Sequence, residues 1–542
     1  VPVARARLML NHSLRISFTL WIKEWWGALL AGGSTYGLLI LAQPPRQVPE
    51  AAYFFLLPTL VWFSRKPELK KVIWTYLLCG WFYHILLVGW MRHVTLGGML
   101  MATFLMSCYH MPWFLIARTW VPAAIGLSFP RRVLFILGLS SCWVIIEWLR
   151  CQFTLGFPWC PLSVTQWERP AILQAVPYVG AWGVSFFLLV FNICLASYLH
   201  HLLVRRRQNE GFSLSSFCPD FYFGLIVFIL MLQPFFGNQR QGSNHEETKV
   251  LKVGVCQPYL SEKWDGNRVL ENKETLIRQT KFLALLDPDL IVWPEASTPY
   301  AVNLDRKWVE DLAKEANCTL MIGAVVKEGE FSYNTVSQVT LEGGLNPERY
   351  DKQVLVPFGE YVPYPFKWMP GLSKLVGPIG NFSSGDRSHV FSVTSKVLDQ
   401  SVRIGPLICY EDIFPSLSRL AVGQDVDLLF VSTNDAWFKH EGCAEQHAAH
   451  SVLRALEVGR PFLRCGNAGW SGWIDERGGI REVLKNDEGS IYFEGAMVME
   501  IYLTGKTNTV YSSYGDYFVV ACLLLFILST VVKRKRIDLS CD

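Results

Sequence analysis

The chain has few charged residues and little excess of either sign. Asp, Glu, Lys and Arg make up 18% of its 542 residues, and the formal net charge is only +4. Soluble globular proteins usually carry about a quarter charged residues, so this sequence is short of side chains that face water. Without a basic excess, it also lacks the electrostatic footprint of a nucleic-acid-binding protein. A hydrophobic content of 51% excludes an intrinsically disordered chain.

Long apolar runs account for the shortage of charge. A membrane-spanning helix needs about 20 mostly apolar residues, because the hydrocarbon core of a bilayer is about 30 Å thick. Eight runs predict such spans, although the second is short. They cover residues 26–42, 51–63, 72–91, 97–117, 133–149, 176–199, 221–237 and 517–532. We therefore predict an α-helical membrane bundle of about eight spans.

The runs divide the chain into three predicted domains. Residues 1–244 form a transmembrane bundle of about seven helices, residues 245–512 have the composition of a water-soluble domain, and residues 513–542 form a last span with a basic tail. Alternate loops of the bundle differ sharply in charge, with eighteen Lys and Arg residues in one set and four in the other. Basic loops stay on the cytoplasmic side. Both termini should therefore be cytoplasmic, and residues 245–512 should lie on the far side of the membrane.

Few ionisable residues interrupt the apolar runs. Proton and ion paths need such groups, so their scarcity argues against a transporter. Glu147 and His84 are exceptions, and ionisable groups inside a span are functional candidates. For Glu147 we favour the simpler interpretation, a position near an interface where Arg150 one turn later pairs with it. Cys151 and Cys160 share a predicted outer loop, where either a disulfide or two free thiols are consistent with the sequence.

The soluble part alternates between short β-rich runs and helical stretches. This alternation predicts a layered α/β domain, in which functional side chains gather at strand ends. The predicted helices include 268–286 and 443–457. The predicted strands are 250–255, 289–293, 319–325, 333–340, 401–409, 426–432, 462–467 and 496–502.

Three positions at strand ends carry reactive side chains. The run 289–293 leads into Glu295, and the run 401–409 ends at Cys409 before a tight turn. Lys352 and Glu360 bracket an apolar segment between them. A carboxylate can take the proton of a thiol, and an ammonium can stabilise the oxyanion that forms when the thiolate attacks an ester or amide. The alternative is that Cys409 is a small buried hydrophobe.

Five local motifs resemble the nitrilase superfamily, whose members use Glu, Lys and Cys on an αββα sandwich. Together with the membrane runs, they are closer still to the apolipoprotein N-acyltransferase family, which fuses seven N-terminal spans, a nitrilase-like domain and one C-terminal span. The motifs are Trp293–Ala296, Leu355–Pro363, Ile408–Glu411, Asn434–Phe438 and Arg454–Pro461. The fold class that the resemblance implies is therefore a membrane bundle plus an αββα sandwich.

The resemblance also implies a role for each matched residue. Glu295 would be the general base, Lys352 would stabilise the oxyanion, and Cys409 would be the nucleophile that becomes a thioester. The supporting residues would be Glu360, which orients the lysine, Asn334, which lies near it, and Tyr410 and Glu411, which follow the nucleophile. No cofactor is implied.

The implied reaction moves an acyl chain between two lipid-borne partners. Cys409 would take the chain from a membrane phospholipid and pass it to the α-amino group of a diacylglyceryl-cysteine at a lipoprotein N-terminus. The implied location is a bacterial inner membrane with the catalytic domain on the periplasmic side, and we expect a monomer. Two alternatives stay open: a membrane-tethered amidase or hydrolase that gives the acyl group to water, and a transporter or receptor whose outer domain only binds.

Several residues are candidates for lipid contact or for metal binding. Residues 361–380 are apolar, yet four Pro and three Gly forbid a regular helix, so this segment is either a membrane-facing arm or ordinary packing on the sandwich. Trp368 lies in it, and Trp437 and Phe438 are lipid contacts or plain core. The short spacings of four residues suit zinc, but the resemblance places two of them, His447 and His450, on a structural helix without a metal, and we expect no metal. These four are His440, Cys443, His447 and His450.

Overall fold

The computed structural model describes residues 25–153, 157–208, 217–240, 249–260, 268–364, 368, 381–396, 399–503 and 505–539. Within these ranges the chain forms an apolar helical bundle, a domain with two β-sheets and a last apolar helix that returns to the bundle. The α-helices of the bundle are Trp25–Ala42, Leu57–Phe63, Leu69–Leu87, Leu96–Ala124, Phe129–Gln152, Pro170–Leu173, Val176–Arg207 and Pro219–Arg240. The returning helix is Tyr517–Leu539.

Four helices of the described chain are long and apolar enough to cross a membrane, namely Trp25–Ala42, Leu96–Ala124, Phe129–Gln152 and Val176–Arg206. Three shorter apolar helices accompany them, at Pro49–Phe63, Pro219–Pro234 and Tyr517–Lys533. The predicted number of about eight spans is therefore not confirmed. The run 51–63, for example, divides into a 3₁₀ helix, Pro49–Tyr53, and a helix of only seven residues, Leu57–Phe63. The three domain boundaries stay predictions.

The returning helix packs closely against Phe129–Gln152. Ser529 Oγ donates a hydrogen bond to the Leu134 carbonyl at 2.8 Å. A Cβ atom at Gly138 would lie only 2.3 Å from Ser529 Oγ. Glycine at position 138 therefore lets the two helices approach at this point, as small residues commonly do between membrane helices.

The expected Glu147–Arg150 pair is replaced by separate contacts to the segment that follows the helix. Glu147 Oε1 accepts hydrogen bonds from Trp143 Nε1 at 2.8 Å and from the Leu162 amide at 2.7 Å. Arg150 Nη2 donates to the carbonyls of residues 157 and 159. The prediction was wrong because this segment folds back over the helix end and supplies partners for both groups. Cys151 and Cys160 are free thiols.

The soluble domain contains two six-stranded sheets. Their orders are β12-β1-β2-β3-β4-β5 and β11-β10-β9-β8-β7-β6, with parallel pairing among β1, β2 and β3 and among β7, β8 and β9. The strands are β1 Lys249–Gln257, β2 Leu290–Val292, β3 Thr319–Glu328, β4 Phe331–Thr340, β5 Gly344–Asp351, β6 Phe391–Ser395, β7 Gln400–Ile408, β8 Leu428–Thr433, β9 Phe462–Gly466, β10 Gly472–Ile474, β11 Ile480–Val483 and β12 Gly495–Leu503. All eight predicted strands are present.

An apolar core joins the two sheets face to face. Alternate residues of β1, such as Leu251 and Val253, meet Ile404 and Phe430 of the other sheet. This alternation follows from the two-residue period of a strand. The helices Val269–Ala284 and Lys307–Ala316 cover the outside of the first sheet, and their apolar faces form a separate core with it. Pro415–Val422 and Cys443–Val458 pack within the core shared with the bundle. The prediction of a nitrilase-like αββα domain is confirmed.

The helix Cys443–Val458, which we call the docking helix, fixes the soluble domain to the bundle. All of its residues except Glu445 are buried. The Gln446 side chain accepts hydrogen bonds from the indole groups of Trp90 at 3.0 Å and Trp159 at 2.8 Å. Its amide donates to the backbone carbonyls of Pro44 at 3.1 Å and Leu87 at 2.9 Å. One buried side chain thus satisfies four groups of the bundle.

We expect Gln446→Ala to lower the stability of the whole chain. The substitution leaves two indole donors and two carbonyls unpaired at a buried interface, and each unsatisfied group costs about 1–3 kcal/mol. The free energy of unfolding in detergent should fall by at least about 3 kcal/mol. Gln338→Ala is a suitable control, because Gln338 is also buried but its amide donates one hydrogen bond, to the Ser392 carbonyl. An equal loss in both variants would contradict the role of Gln446.

Candidate active site

The three reactive side chains predicted from the sequence meet at one end of the two sheets. Glu295 follows β2, Lys352 follows β5, and Cys409 follows β7. The backbone on both sides of Glu295 is held by β3, because Trp293 N donates to Met321 O and Ser297 N donates to Gly323 O. Parallel strands deliver their carboxyl ends to the same edge, which is why segments far apart in sequence converge here.

Lys352 is enclosed by two carboxylates. Its side chain is 1% exposed, and Nζ lies 3.2 Å from Glu295 Oε1 and 2.9 Å from Glu360 Oε1. Asn334 Nδ2 donates to the same two oxygens, at 2.7 Å and 3.2 Å. Burial alone would lower the pKa of Lys352, but the charges of Glu295 and Glu360 outweigh it and raise the pKa well above its ordinary value. The lysine ammonium is therefore held between two carboxylates, which the Asn334 amide bridges.

Cys409 occupies a sharp turn at the end of β7. Its φ angle is 50°, in the left-handed region that costs a non-glycine residue about 1–2 kcal/mol. The residue is half-buried, and the pKa of its thiol is raised well above the ordinary value by burial and by the nearby charge of Glu295, whereas Lys352 acts in the opposite direction. The sulfur thus lies within electrostatic reach of both residues. The raised pKa favours the protonated thiol over the thiolate.

Glu411 holds the nucleophile turn against the lysine segment. Oε1 accepts from the amides of Gln353 at 2.6 Å and Val354 at 3.1 Å, and Oε2 accepts from Tyr350 Oη and the Ile408 amide, both at 2.8 Å. Burial raises its pKa. Tyr410, the other residue after the nucleophile, is buried, and its ring packs on Phe157 and Phe414.

We expect Glu411→Gln to weaken both the fold and the site. An amide in place of the carboxylate would turn a donor toward groups that are themselves donors, so at least one buried hydrogen bond is replaced by a repulsive contact. The free energy of unfolding should fall by at least about 2 kcal/mol, and thermal unfolding would measure it. Glu342→Gln, at an exposed glutamate, is the matched control and should change neither stability nor activity. Normal stability of Glu411→Gln would contradict this account.

The predicted lipid-contact residues lie at different places. Trp437 is 54% exposed on a short 3₁₀ helix after β8, and the neighbouring Phe438 packs on Trp90 of the bundle with ring centroids 4.4 Å apart. Trp368 is exposed and makes an edge contact with Tyr364. The rest of the predicted arm, residues 365–367 and 369–380, lies outside the described residues, so the arm stays a prediction.

Two of the four residues with zinc-like spacing contact other groups. His440 Nε2 contacts Tyr259 Oη at 2.8 Å, and His450 Nε2 accepts from the Cys160 amide at 3.3 Å. Cys409, Asp435 and His447 form a cluster that the sequence did not indicate, with the sulfur, a carboxylate oxygen and a ring nitrogen within 4.8 Å of one another. His447 and Asp435 already bind each other there, at 3.0 Å. The expectation of no metal stays a prediction.

Two family models match the chain. The model described as the apolipoprotein N-acyltransferase N-terminal domain matches residues 37–194, and the carbon-nitrogen hydrolase model matches residues 252–505. Among solved structures, an amidase from Nesterenkonia sp. aligns with 46% of this chain and 90% of its own, at 16% identity and a TM-score of 0.35.

Curated relatives match over most of the chain. The apolipoprotein N-acyltransferase of Geobacter metallireducens is 31% identical over 418 residues, covering 75% of this chain and 76% of its own. The enzyme of the same name from Haemophilus influenzae is 28% identical over 418 residues, covering 72% and 74%. Because the first of these relatives is 31% identical across three quarters of both chains, and the two family models match the bundle and the two-sheet domain, the chain belongs to the apolipoprotein N-acyltransferase family.

Proposed function

We propose that this protein transfers an acyl chain from a membrane phospholipid to the N-terminal amine of lipoproteins, through a thioester on Cys409. The single observation that carries the proposal is the convergence of Glu295, Lys352 and Cys409 on a domain that the docking helix fixes to an apolar helical bundle. Family membership supports lipoprotein N-acylation. The residue roles and the identity of the acyl donor are our proposal.

In the first step, Glu295 takes the proton of the Cys409 thiol as the sulfur attacks the ester carbonyl of a phospholipid. The carbonyl oxygen becomes an oxyanion, which the Lys352 ammonium stabilises. When the tetrahedral intermediate collapses, the carbon–oxygen ester bond breaks. The lysophospholipid alcohol leaves with the proton that Glu295 returns to it, and Cys409 retains the acyl chain as a thioester.

In the second step, the α-amino group of a diacylglyceryl-cysteine attacks the thioester. Glu295 accepts a proton from the attacking nitrogen, Lys352 again faces the oxyanion, and the carbon–sulfur bond breaks. The thiolate recovers its proton from Glu295, and the lipoprotein leaves with a new amide. Both substrates are anchored in lipid, so a catalyst fixed at the membrane surface meets them at high effective concentration without drawing their tails into water.

The acceptor distinguishes this function from hydrolysis. We would incubate the full-length protein in vesicles with a phospholipid that carries a labelled acyl chain and a diacylated lipopeptide. The label should appear on the N-terminus of the lipopeptide, with an equal amount of lysophospholipid. Labelled free fatty acid and an unmodified peptide would instead support the membrane-tethered hydrolase, and no lysophospholipid would contradict both enzymes.

The catalytic domain is proposed to face the periplasm, and its side can be tested with engineered thiols. Glu342→Cys places an exposed thiol in the soluble domain, and Arg65→Cys places one in a loop that the charge rule assigns to the cytoplasm. A membrane-impermeant maleimide added to intact spheroplasts, followed by mass spectrometry of the individual peptides, should label the introduced thiol at position 342 but not the one at position 65. Labelling of Arg65→Cys alone would invert the proposed orientation. We also propose that the protein acts as a monomer.

A further inference from the structure

A buried polar cluster lies directly beneath the proposed nucleophile, and the two reaction steps above do not use it. Its centre is His447, which is 1% exposed on the docking helix. Its Nδ1 atom lies 3.0 Å from Asp435 Oδ1. Its Nε2 atom lies 2.8 Å from Asp412 Oδ1 and 3.2 Å from the carbonyl oxygen of Cys409. Both ring nitrogens therefore face oxygen acceptors.

This arrangement requires a charged ring. A neutral imidazole has a single N–H, so one of its nitrogens would direct a lone pair at an oxygen, whereas an imidazolium donates from both. Burial would lower the pKa of His447, but the carboxylates of Asp412 and Asp435 outweigh burial and raise the pKa to about 9. The hydrogen-bond geometry and the charges thus give the same protonation state at neutral pH.

Two consequences for Cys409 follow from the charged ring. The Nε2–H group donates to the carbonyl of Cys409, whose backbone is in the left-handed conformation. Glycine favours this conformation, but it has no thiol, so the turn at Cys409 has to be stabilised by a neighbouring group instead. In addition, the Asp435 carboxylate lies within 4.8 Å of the Cys409 sulfur, and its negative charge raises the pKa of the thiol. A positive ring bonded to Asp435 offsets that charge.

We propose that His447 is a positioning residue for acyl transfer, whose imidazolium fixes the Cys409 carbonyl and balances Asp435 beneath the sulfur. The inference deepens the proposed function and rests on Cys409 being its nucleophile. His447 touches neither reacting carbonyl nor amine in this scheme, since it acts through the backbone and the charge of its neighbours. The signal in the sequence was the histidine itself, but its spacing suggested zinc rather than a bond to the nucleophile.

The charged and titratable groups around the ring come from several elements. Arg464 on β9 and Ser451 on the docking helix both bind Asp412 and so fix the second carboxylate. His450 lies one turn along the docking helix, and the Trp159 ring of the bundle lies 5.5 Å from the His447 ring. The groups on the side of the sulfur are Glu295 and Lys352.

The test measures the sulfur itself, without any lipid. Full-length protein in detergent would be treated with iodoacetamide across a pH series, and the Cys409 peptide would be quantified by mass spectrometry. The His447→Gln variant is neutral at this position but keeps an amide donor. The pH at which Cys409 alkylation reaches half of its maximal rate, here called the midpoint, should rise in this variant. Alkylation at neutral pH should slow at least about tenfold, which is the effect of one pKa unit. Adding Asp435→Asn to His447→Gln should restore the rate toward that of the unsubstituted protein.

A merely structural role would lower the melting temperature without moving the midpoint. An unchanged midpoint in His447→Gln, or no recovery in the double variant, would overturn the proposal. If His447→Gln fails to fold, Asp435→Asn alone can be tested instead. It keeps the imidazolium but removes the carboxylate beside the sulfur, so the midpoint of Cys409 alkylation should fall. An unchanged or higher midpoint in Asp435→Asn would also overturn the proposal. His389→Gln, at a partly buried histidine near β6, is the control and should leave alkylation unchanged. Lysophospholipid release from the unsubstituted protein is measured separately. Its absence would contradict the proposed function, whereas an unchanged alkylation midpoint would contradict only the role of His447.

Discussion

Cys409→Ser is expected to abolish acyl transfer while leaving the fold intact. A serine hydroxyl fits the space of the thiol, but it is a far weaker acid and would not be deprotonated by Glu295 to a comparable extent. The rate of lysophospholipid release should fall by at least about a thousand-fold, in line with the removal of nucleophiles from other enzymes that form acyl intermediates. Release would be measured in vesicles with a labelled phospholipid.

The matched control is Cys108→Ser, at an exposed cysteine of the helix Leu96–Ala124. Cys108→Ser should release lysophospholipid at the rate of the unsubstituted protein. Its melting temperature should equal that of Cys409→Ser. A substantial rate in Cys409→Ser, at unchanged stability, would mean that the thiol is structural and that a binding-only outer domain is the better account.

Lys352→Met is expected to have the second-largest effect, on both activity and stability. Removal of one oxyanion donor costs enzymes of this kind about 10²–10³ in rate. The same change leaves Glu295 and Glu360 facing each other with no cation between them, and loss of one partner from a buried ion pair costs about 3–5 kcal/mol. Single-turnover acylation of Cys409 and thermal unfolding would measure the two effects independently.

Lys327→Met provides a control, because Lys327 is exposed on the same domain and should change neither quantity. A second variant, Lys352→Met with Glu360→Gln, removes one of the opposed carboxylates and should recover stability but not the rate of acylation. Recovery of the acylation rate in this double variant would show that Lys352 serves only to neutralise Glu360. That result would contradict the proposed stabilisation of the oxyanion by Lys352.

The strands that carry Glu295 and Cys409 were predictable because they are buried. Continuous apolar runs such as 290–293 mark parallel strands covered on both faces. The strand before Lys352 was missed because β5, Gly344–Asp351, is a half-exposed edge strand with a polar sequence. This segment is a strand because it pairs with β4, which it reaches through a turn that leads into Gly344, where φ is 67°. A sequence pattern alone does not contain that pairing.

The polar contacts between the bundle and the soluble domain were also beyond the sequence. Gln446 and His447 are adjacent on the docking helix, yet one binds indole groups of the bundle and the other binds the turn that carries Cys409. Their partners lie far away in the chain, so neither local spacing nor helical periodicity identifies them. The resemblance of local motifs located the reactive residues, whereas the groups that support them became visible only in three dimensions.

The thioester is tested most directly by mass spectrometry of the Cys409 peptide after the protein has been incubated with phospholipid alone. The account predicts that the peptide gains the mass of one acyl chain, bound through a linkage that hydroxylamine cleaves, and that the chain leaves when a diacylated lipopeptide is added. Acylated lipopeptide formed without any acyl group ever appearing on Cys409, in samples quenched during turnover, would contradict it.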